Sequence, residues 1–245
     1  MTSPAGKVLL AAFAVCPACI EAAATQKRED WERQNQEARA KYAAKVAEEA
    51  ATVRADPVKA LAAAGVPRAL EGACLASIRL AGDVPVEIVD SAEVWIAYPA
   101  GFLTLTGPPG SGKSYLAAAM LRSGLEAGLV QGCNCRFLSE YDYLSTITLD
   151  YGVPARHVIY DRIPFLVYDD LGAGYANDLR KSALGELFRA RWNAELPTIV
   201  TTNLTIGQIS SIDARIASVM AAGQNVLVLP ANDLRRKGKL ASGHE

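Results

Sequence analysis

The sequence predicts an α/β fold: a five-stranded parallel sheet covered on both faces by helices and preceded by a small helical N-terminal region. Three observations predict it. Short apolar runs alternate with helical stretches after Pro57, a glycine-rich loop joins one such run directly to a helix, and a long polar, alanine-rich segment stands before them all. The chain has 245 residues with 25 basic and 26 acidic side chains, a formal net charge of −1. With 51% hydrophobic and 21% charged residues, it has the composition of a folded globular protein. The near balance of charge excludes wholesale polyanion binding, so any nucleic-acid site must be a local patch or channel. Five cysteines, an odd number, read as reduced thiols or metal ligands rather than a disulfide framework.

At the N-terminus, Lys7 followed by the apolar run Val8 to Val15 imitates a signal-peptide core, and Cys16 imitates a lipidation site. The run is shorter than the ~20 residues of a membrane span. It also lacks a small-residue cleavage pattern, because Val15 directly precedes Cys16. No later segment is an uninterrupted apolar span, so the expectation is a soluble, cytoplasmic protein without a membrane partner. Ile20 to about Ala55 reads as one helix rich in Ala, Glu, Gln, Lys and Arg, with no Gly or Pro until Pro57. Trp31, Ala38, Tyr42 and Val46 form a narrow apolar stripe on it, suited to docking on a partner or to leaning on its own domain. Two regions are therefore expected, 1–55 as a partner-binding helical region and 56–245 as the α/β domain.

The predicted strands are Phe102–Thr106, Arg136–Leu138, Phe165–Tyr168, Thr198–Thr201 and Val226–Leu229. Helices are predicted near Lys113–Ala127, Asp178–Ala194 and Ile206–Ala222. The runs are rich in Val, Ile, Leu and Thr and lack polar alternation, as expected of parallel strands buried on both faces.

Gly107-Pro108-Pro109-Gly110-Ser111-Gly112-Lys113-Ser114 fits the GxxxxGK[ST] phosphate loop, between a predicted strand and a predicted helix. Its glycines let backbone N–H groups curl around phosphates, and the helix N-terminus adds partial positive charge. Lys113 would reach the β- and γ-phosphates of ATP and the Ser114 hydroxyl would bind Mg²⁺, with Tyr115 closing the nucleotide-binding set. Phe165-Leu166-Val167-Tyr168-Asp169-Asp170 is an apolar strand ending in two carboxylates, which suits a site beside Mg²⁺. Asp169 would hold the metal and Asp170 would orient or deprotonate the attacking water. Pro197 to Asn203 is a strand ending in a polar amide that can place Asn203 near the γ-phosphate or the attacking water.

Together GPPGSGKS, VYDDLG and LPTIVTTN resemble the AAA+ ATPases of the DnaC/DnaI helicase-loader and IstB transposase-helper group. The resemblance extends to Ala64-Gly65-Val66-Pro67, to Leu184–Trp192 and to Ala231–Arg235, covering roughly residues 57–236. It implies a Mg-dependent ATPase with Lys113, Asp170, Asn203 and Arg215 in catalytic roles and Asn203 as γ-phosphate sensor. It further implies a replicative ring helicase and single-stranded DNA as partners, in a homo-oligomer or a mixed oligomer with the helicase. A transposition helper and an ATP-binding adaptor with little hydrolysis are the alternatives. The group usually carries two arginines one turn apart in the helix before the last strand. Here Arg215 supplies the first and Val219 occupies the second position.

In this group DNA contacts run through the helices after the second strand and the turn after the acid pair, here offering Tyr143, Tyr175 and Arg180. Tyrosine faces stack on bases for about 1–3 kcal/mol each, and arginines bind phosphate; core packing is the competing role for any single tyrosine, least so for Tyr175 between glycines and polar residues. Cys16-Pro17-Ala18-Cys19 is half of a zinc site, to be completed by Cys133 and Cys135 or by another subunit, or else a free or disulfide-prone pair.

Overall fold

The computed structural model describes residues 17–149, 160–172, 178–221 and 225–231. It falls into two compact units, Met1–Lys45 and Val46–Glu245. A long helix α1 spans Pro17–Ala55. Within the first unit Trp31 and Tyr42 are exposed. Within the second, the Arg54 guanidinium donates to the Glu126 carbonyl at 2.5 Å.

Three helices precede the sheet where the sequence suggested none: α2 (Pro57–Ala63), α3 (Leu75–Ala81) and α4 (Val86–Ala97). Helix α2 begins where Asp56 accepts the Lys59 N–H, with Pro57 just inside the start, a position that needs no N–H partner. There follow β1 (Phe102–Thr106), α5 (Lys113–Glu126), β2 (Cys135–Ser139), α6 (Glu140–Leu149), β3 (Phe165–Leu171), α7 (Asp178–Asn193) and β4 (Thr198–Thr202). The expected single helix over 206–222 is two, α8 (Ile206–Ile212) and α9 (Ala214–Ala221), before β5 (Val226–Val228). Asp213 makes the break: its N–H donates to Ile209 O, ending α8, and its carboxylate accepts the Arg215 N–H at 2.8 Å, starting α9.

All five strands are parallel, in the order β2-β3-β4-β1-β5. Side-chain alternation divides the core into two clusters. Leu103, Leu105, Phe165, Val167 and Ile199 pack with α2 to α5, while Phe102, Leu166, Tyr168 and Val200 pack with α6 to α9. Every residue of β1 and β4 is buried, so both alternating sets are apolar or threonine and the sequence shows no polar period. The fully buried Arg191 of α7 ties the amino ends of the sheet together. It donates to Thr198 Oγ1 and to the carbonyls of Tyr160, Ile163 and Pro197, all within 2.9 Å. At the β2 margin, the Phe137 N–H donates to Ala64 O at 2.8 Å and Arg136 donates to Ala63 O at 2.6 Å.

Candidate nucleotide site at the carboxyl edge of the sheet

In open parallel sheets ligands bind beyond the carboxyl ends of the strands, where the strand order reverses. Here that point is β1, flanked by β4 and β5 although β2 follows it in sequence. The glycine-rich loop leaves β1 there. Gly107 has φ of 152°, and a Cβ on it would stand 2.7 Å from the Leu229 carbonyl oxygen, so only glycine fits. Gly112, at φ 90°, turns the chain into α5, whose first residue is Lys113. The Lys113 side chain is buried, its ammonium donating to Gly107 O and Pro108 O at 2.9 Å and to Ser111 Oγ at 3.4 Å. The loop is thus closed around its own cation, and an entering phosphate oxygen would compete with two carbonyls for the ammonium.

Asp169 and Asp170 end β3 beside this loop. Asp169 is buried and accepts hydrogen bonds from Thr201 Oγ1, at 2.6 Å, and from the Ser114 side chain. Burial is the largest influence on its carboxyl and raises the pKa. The two hydroxyl donors oppose that rise, Asp170 adds to it, and Lys113 opposes it. Asp170 is only half-buried and has φ of 61°, a left-handed conformation rare for a non-glycine residue. The register explains it: Tyr168 pairs with Val200 and Leu171 with Thr202, leaving Asp169 and Asp170 opposite Thr201 alone. This is a β-bulge, and it takes Asp170 out of the alternation that would otherwise bury it with Leu166 and Tyr168. Thr201 fills the gap by also accepting the Asp170 N–H at 2.9 Å. Asn203 follows β4 and is exposed.

Lys113, Ser114, Asp169, Asp170 and Asn203 therefore lie along the carboxyl ends of three neighbouring strands, β3, β4 and β1. The oxygen donors of Ser114 and Asp169, one hydrogen bond apart, are of the kind a hard cation such as Mg²⁺ takes. Tyr115 lies at the first turn of α5 and its hydroxyl donates to Gly72 O at 3.2 Å. Thr201 was not singled out from the sequence; the Thr-Thr-Asn ending of an apolar strand carried the signal.

Other expected residues lie elsewhere or are corrected. Tyr143 is buried, its hydroxyl donates to Ala183 O, and its ring meets those of Tyr160 and Tyr168 edge to face. It is a core residue with no face to offer a base, and burial drives its phenol pKa up. Tyr175 and Cys16 lie outside the described residues, as do the side chains of Arg180, Cys19 and Cys133. Cys135 is buried on β2 with its thiol directed to Gly132 O. Among the described residues no group of three or more His, Cys, Asp and Glu side chains could hold a metal ion. Arg215 is exposed, 3.8 Å from the Asp213 carboxylate, and Val219 packs partly against the α6–α9 cluster. Among the described residues no helix is long and apolar enough to cross a membrane.

A phosphate loop after the first strand of a parallel five-stranded sheet, with an acid pair ending a neighbouring strand, defines a P-loop ATPase fold of AAA+ type. The family model for IstB-like ATP binding protein matches residues 75–222, more than half of the chain, and the chain belongs to that family. A putative insertion sequence ATP-binding protein of Sinorhizobium fredii is 28% identical over 167 residues. That match covers 66% of this chain and 54% of the relative, so the chain accounts for about half of that protein's length. The crystal structure of DnaI shares the fold, with a TM-score of 0.52 at 23% identity over 67% of this chain and 94% of that one. A putative primosome component from Streptococcus pyogenes does so with a TM-score of 0.53 at 22% identity, over 67% and 89% of the two chains.

Proposed function

We propose that this chain hydrolyses ATP and uses the cycle to load a ring-shaped replicative helicase onto single-stranded DNA. The observation that carries the ATPase part is the convergence of Lys113, Ser114, Asp169 and Asp170 at one edge of the sheet. In this reading Lys113 exchanges its loop carbonyls for oxygens of the β- and γ-phosphates. Ser114 and Asp169 hold Mg²⁺, which when bound neutralises charge on the phosphates. Asp170 orients the attacking water and accepts its proton as the oxygen bonds to the γ-phosphorus and ADP departs. Asn203 senses the γ-phosphate, and Arg215 reaches a nucleotide on a neighbouring subunit.

Residues 1–55 take the helicase and 56–245 form the ATPase domain. The exposed Trp31 and Tyr42 support the docking role of the helix, because aromatic side chains on a helix are common binding anchors. Tyr175 and Arg180 contact the DNA, and the protein works in the cytoplasm as a homo-oligomer or mixed oligomer. A second reading, a transposition helper, is favoured by the family and by the Sinorhizobium fredii relative, an insertion sequence ATP-binding protein. Val219 in place of a second arginine favours a slow ATP-binding adaptor. Paired pull-downs with the replicative helicase and the transposase of the same genome separate the first two readings. Capture of the helicase alone, with ATP turnover raised by single-stranded DNA, is the expected result. Capture of the transposase alone overturns the loader reading, and absence of turnover leaves the adaptor.

A further inference from the structure

We infer that Thr201 is a positioning residue for the acid pair, its one hydroxyl fixing both where Asp169 points and the bulge that turns Asp170 out of the sheet. The inference deepens the ATPase reading above and rests on it. Thr201 is fully buried on β4 and is the only β4 residue opposite two on β3. A buried hydroxyl needs partners, and this one uses both of its capacities on the acid pair. It donates to Asp169 Oδ1 at 2.6 Å and accepts the Asp170 N–H at 2.9 Å.

The extra residue of a bulge leaves the strand ladder, so its amide must find another acceptor. Without Thr201 the Asp170 N–H would have no described acceptor, and the left-handed conformation at φ 61° would have little to hold it. The next two residues are fixed in the same manner. Thr202 Oγ1 donates to Leu171 O at 2.8 Å, and the Gly172 N–H donates to the buried Glu140 carboxylate at the start of α6. Side chains from β4 and α6 thus hold four consecutive residues, 169 to 172, and Thr201 holds the two that carry the chemistry. A group that orients a metal-binding carboxylate without touching the metal governs affinity by about 10- to 100-fold when removed.

The test compares Thr201→Val, which keeps the branched shape and removes the hydroxyl, with Thr201→Ser, which keeps the hydroxyl. Thr201→Ala substitutes for the valine variant if that one does not fold. Three quantities are read on the full chain: ATP binding without divalent cation, Mn²⁺ binding by paramagnetic resonance with a non-hydrolysable ATP analogue, and kcat at saturating Mg²⁺. The expected result is unchanged cation-free ATP binding in both variants. Thr201→Val should bind Mn²⁺ at least 10-fold more weakly with kcat reduced at least 10-fold, and Thr201→Ser should stay within about threefold of wild type. Wild-type Mn²⁺ affinity in the valine or alanine variant overturns the inference. Equal losses in the valine and serine variants overturn it too, because packing rather than the hydroxyl would then be responsible. Should the wild-type chain show no turnover, the hydrolysis reading falls while the Mn²⁺ comparison still decides the role of Thr201.

Discussion

The sheet holds a buried charge at each end, and the two are solved in opposite ways. At the amino end, Arg191 is completely buried, yet it donates to a threonine hydroxyl and three carbonyls. Burial lowers its pKa to about 9, with the Asp161 carboxylate opposing, and the ring of acceptors keeps the guanidinium charged. At the carboxyl end, Asp169 is buried to a similar degree, but its described donors are two hydroxyls, and a carboxylate can accept about four hydrogen bonds. Burial therefore dominates there and pushes the carboxyl pKa up. A charge surrounded by the chain's own dipoles is a tie. A charge left partly unanswered, next to a strained residue and a lysine-bearing loop, marks a place where a ligand completes the arrangement.

Four substitutions break or sharpen this contrast, beginning with the largest effect. Asp170→Asn should retain ATP affinity by titration calorimetry while lowering turnover by roughly 10²–10⁴, the usual reach of a positioned general base. An asparagine variant turning over at the wild-type rate would remove the acid pair from the chemistry. Arg191→Met should do the reverse. It strands a hydroxyl and three carbonyls, at a cost of about 3–5 kcal/mol in chemical denaturation, and the surviving folded protein should bind ATP normally.

Asp169→Asn tests the sign of the unanswered charge. A carboxyl whose folded pKa lies above its ordinary value of 3.8 binds its proton more tightly in the folded chain. It supports the fold at pH below that ordinary value, and the support is lost as pH rises through the elevated folded value. The asparagine variant lacks this loss, so its stability relative to wild type should climb across the same interval when nucleotide and Mg²⁺ are absent. A pH-independent difference in urea midpoints would sink that account. The smallest effect belongs to Arg215→Ala. Exposed and near Asp213, Arg215 should contribute no measurable stability. Mixing this variant with Asp170→Asn subunits should restore some hydrolysis if the arginine acts across a boundary, and a silent mixture removes that role.

The parts legible in the sequence were those that depend on neighbours in sequence. The phosphate loop and all five strands stood out, because glycine spacing and fully apolar runs are local signals. Helices α2 to α4 did not, because α2 and α3 are only seven residues long and α4 carries Asp90 and Glu93 beside its buried Trp95. The split at Asp213 turns on a side chain capping its own backbone, a choice the surrounding Ile and Ala pattern conceals. In sequence Tyr143 is open to either a stacking or a core role, and it takes the core one, sitting one turn into α6 edge to face with Tyr160 and Tyr168. The bulge is the least legible feature. It exists only as a two-against-one count between residues about thirty positions apart, so no inspection of VYDD or TIVTT by itself discloses it.

The turn at Ala63–Gly65 bears on quaternary structure. The outward-facing N–H of Phe137 is already taken by Ala64, and a Cβ on Gly65 would come within 2.9 Å of the Phe137 carbonyl oxygen. The centre of the β2 margin is therefore sealed by main chain packed too closely for any side chain at position 65. An unsealed edge invites a second copy to add its own strand, the first step toward runaway fibrous growth. With this margin closed, copies of the chain cannot propagate by extending one another's sheets from β2. Any contact between copies on that side must be made by side-chain surfaces rather than by a shared strand ladder.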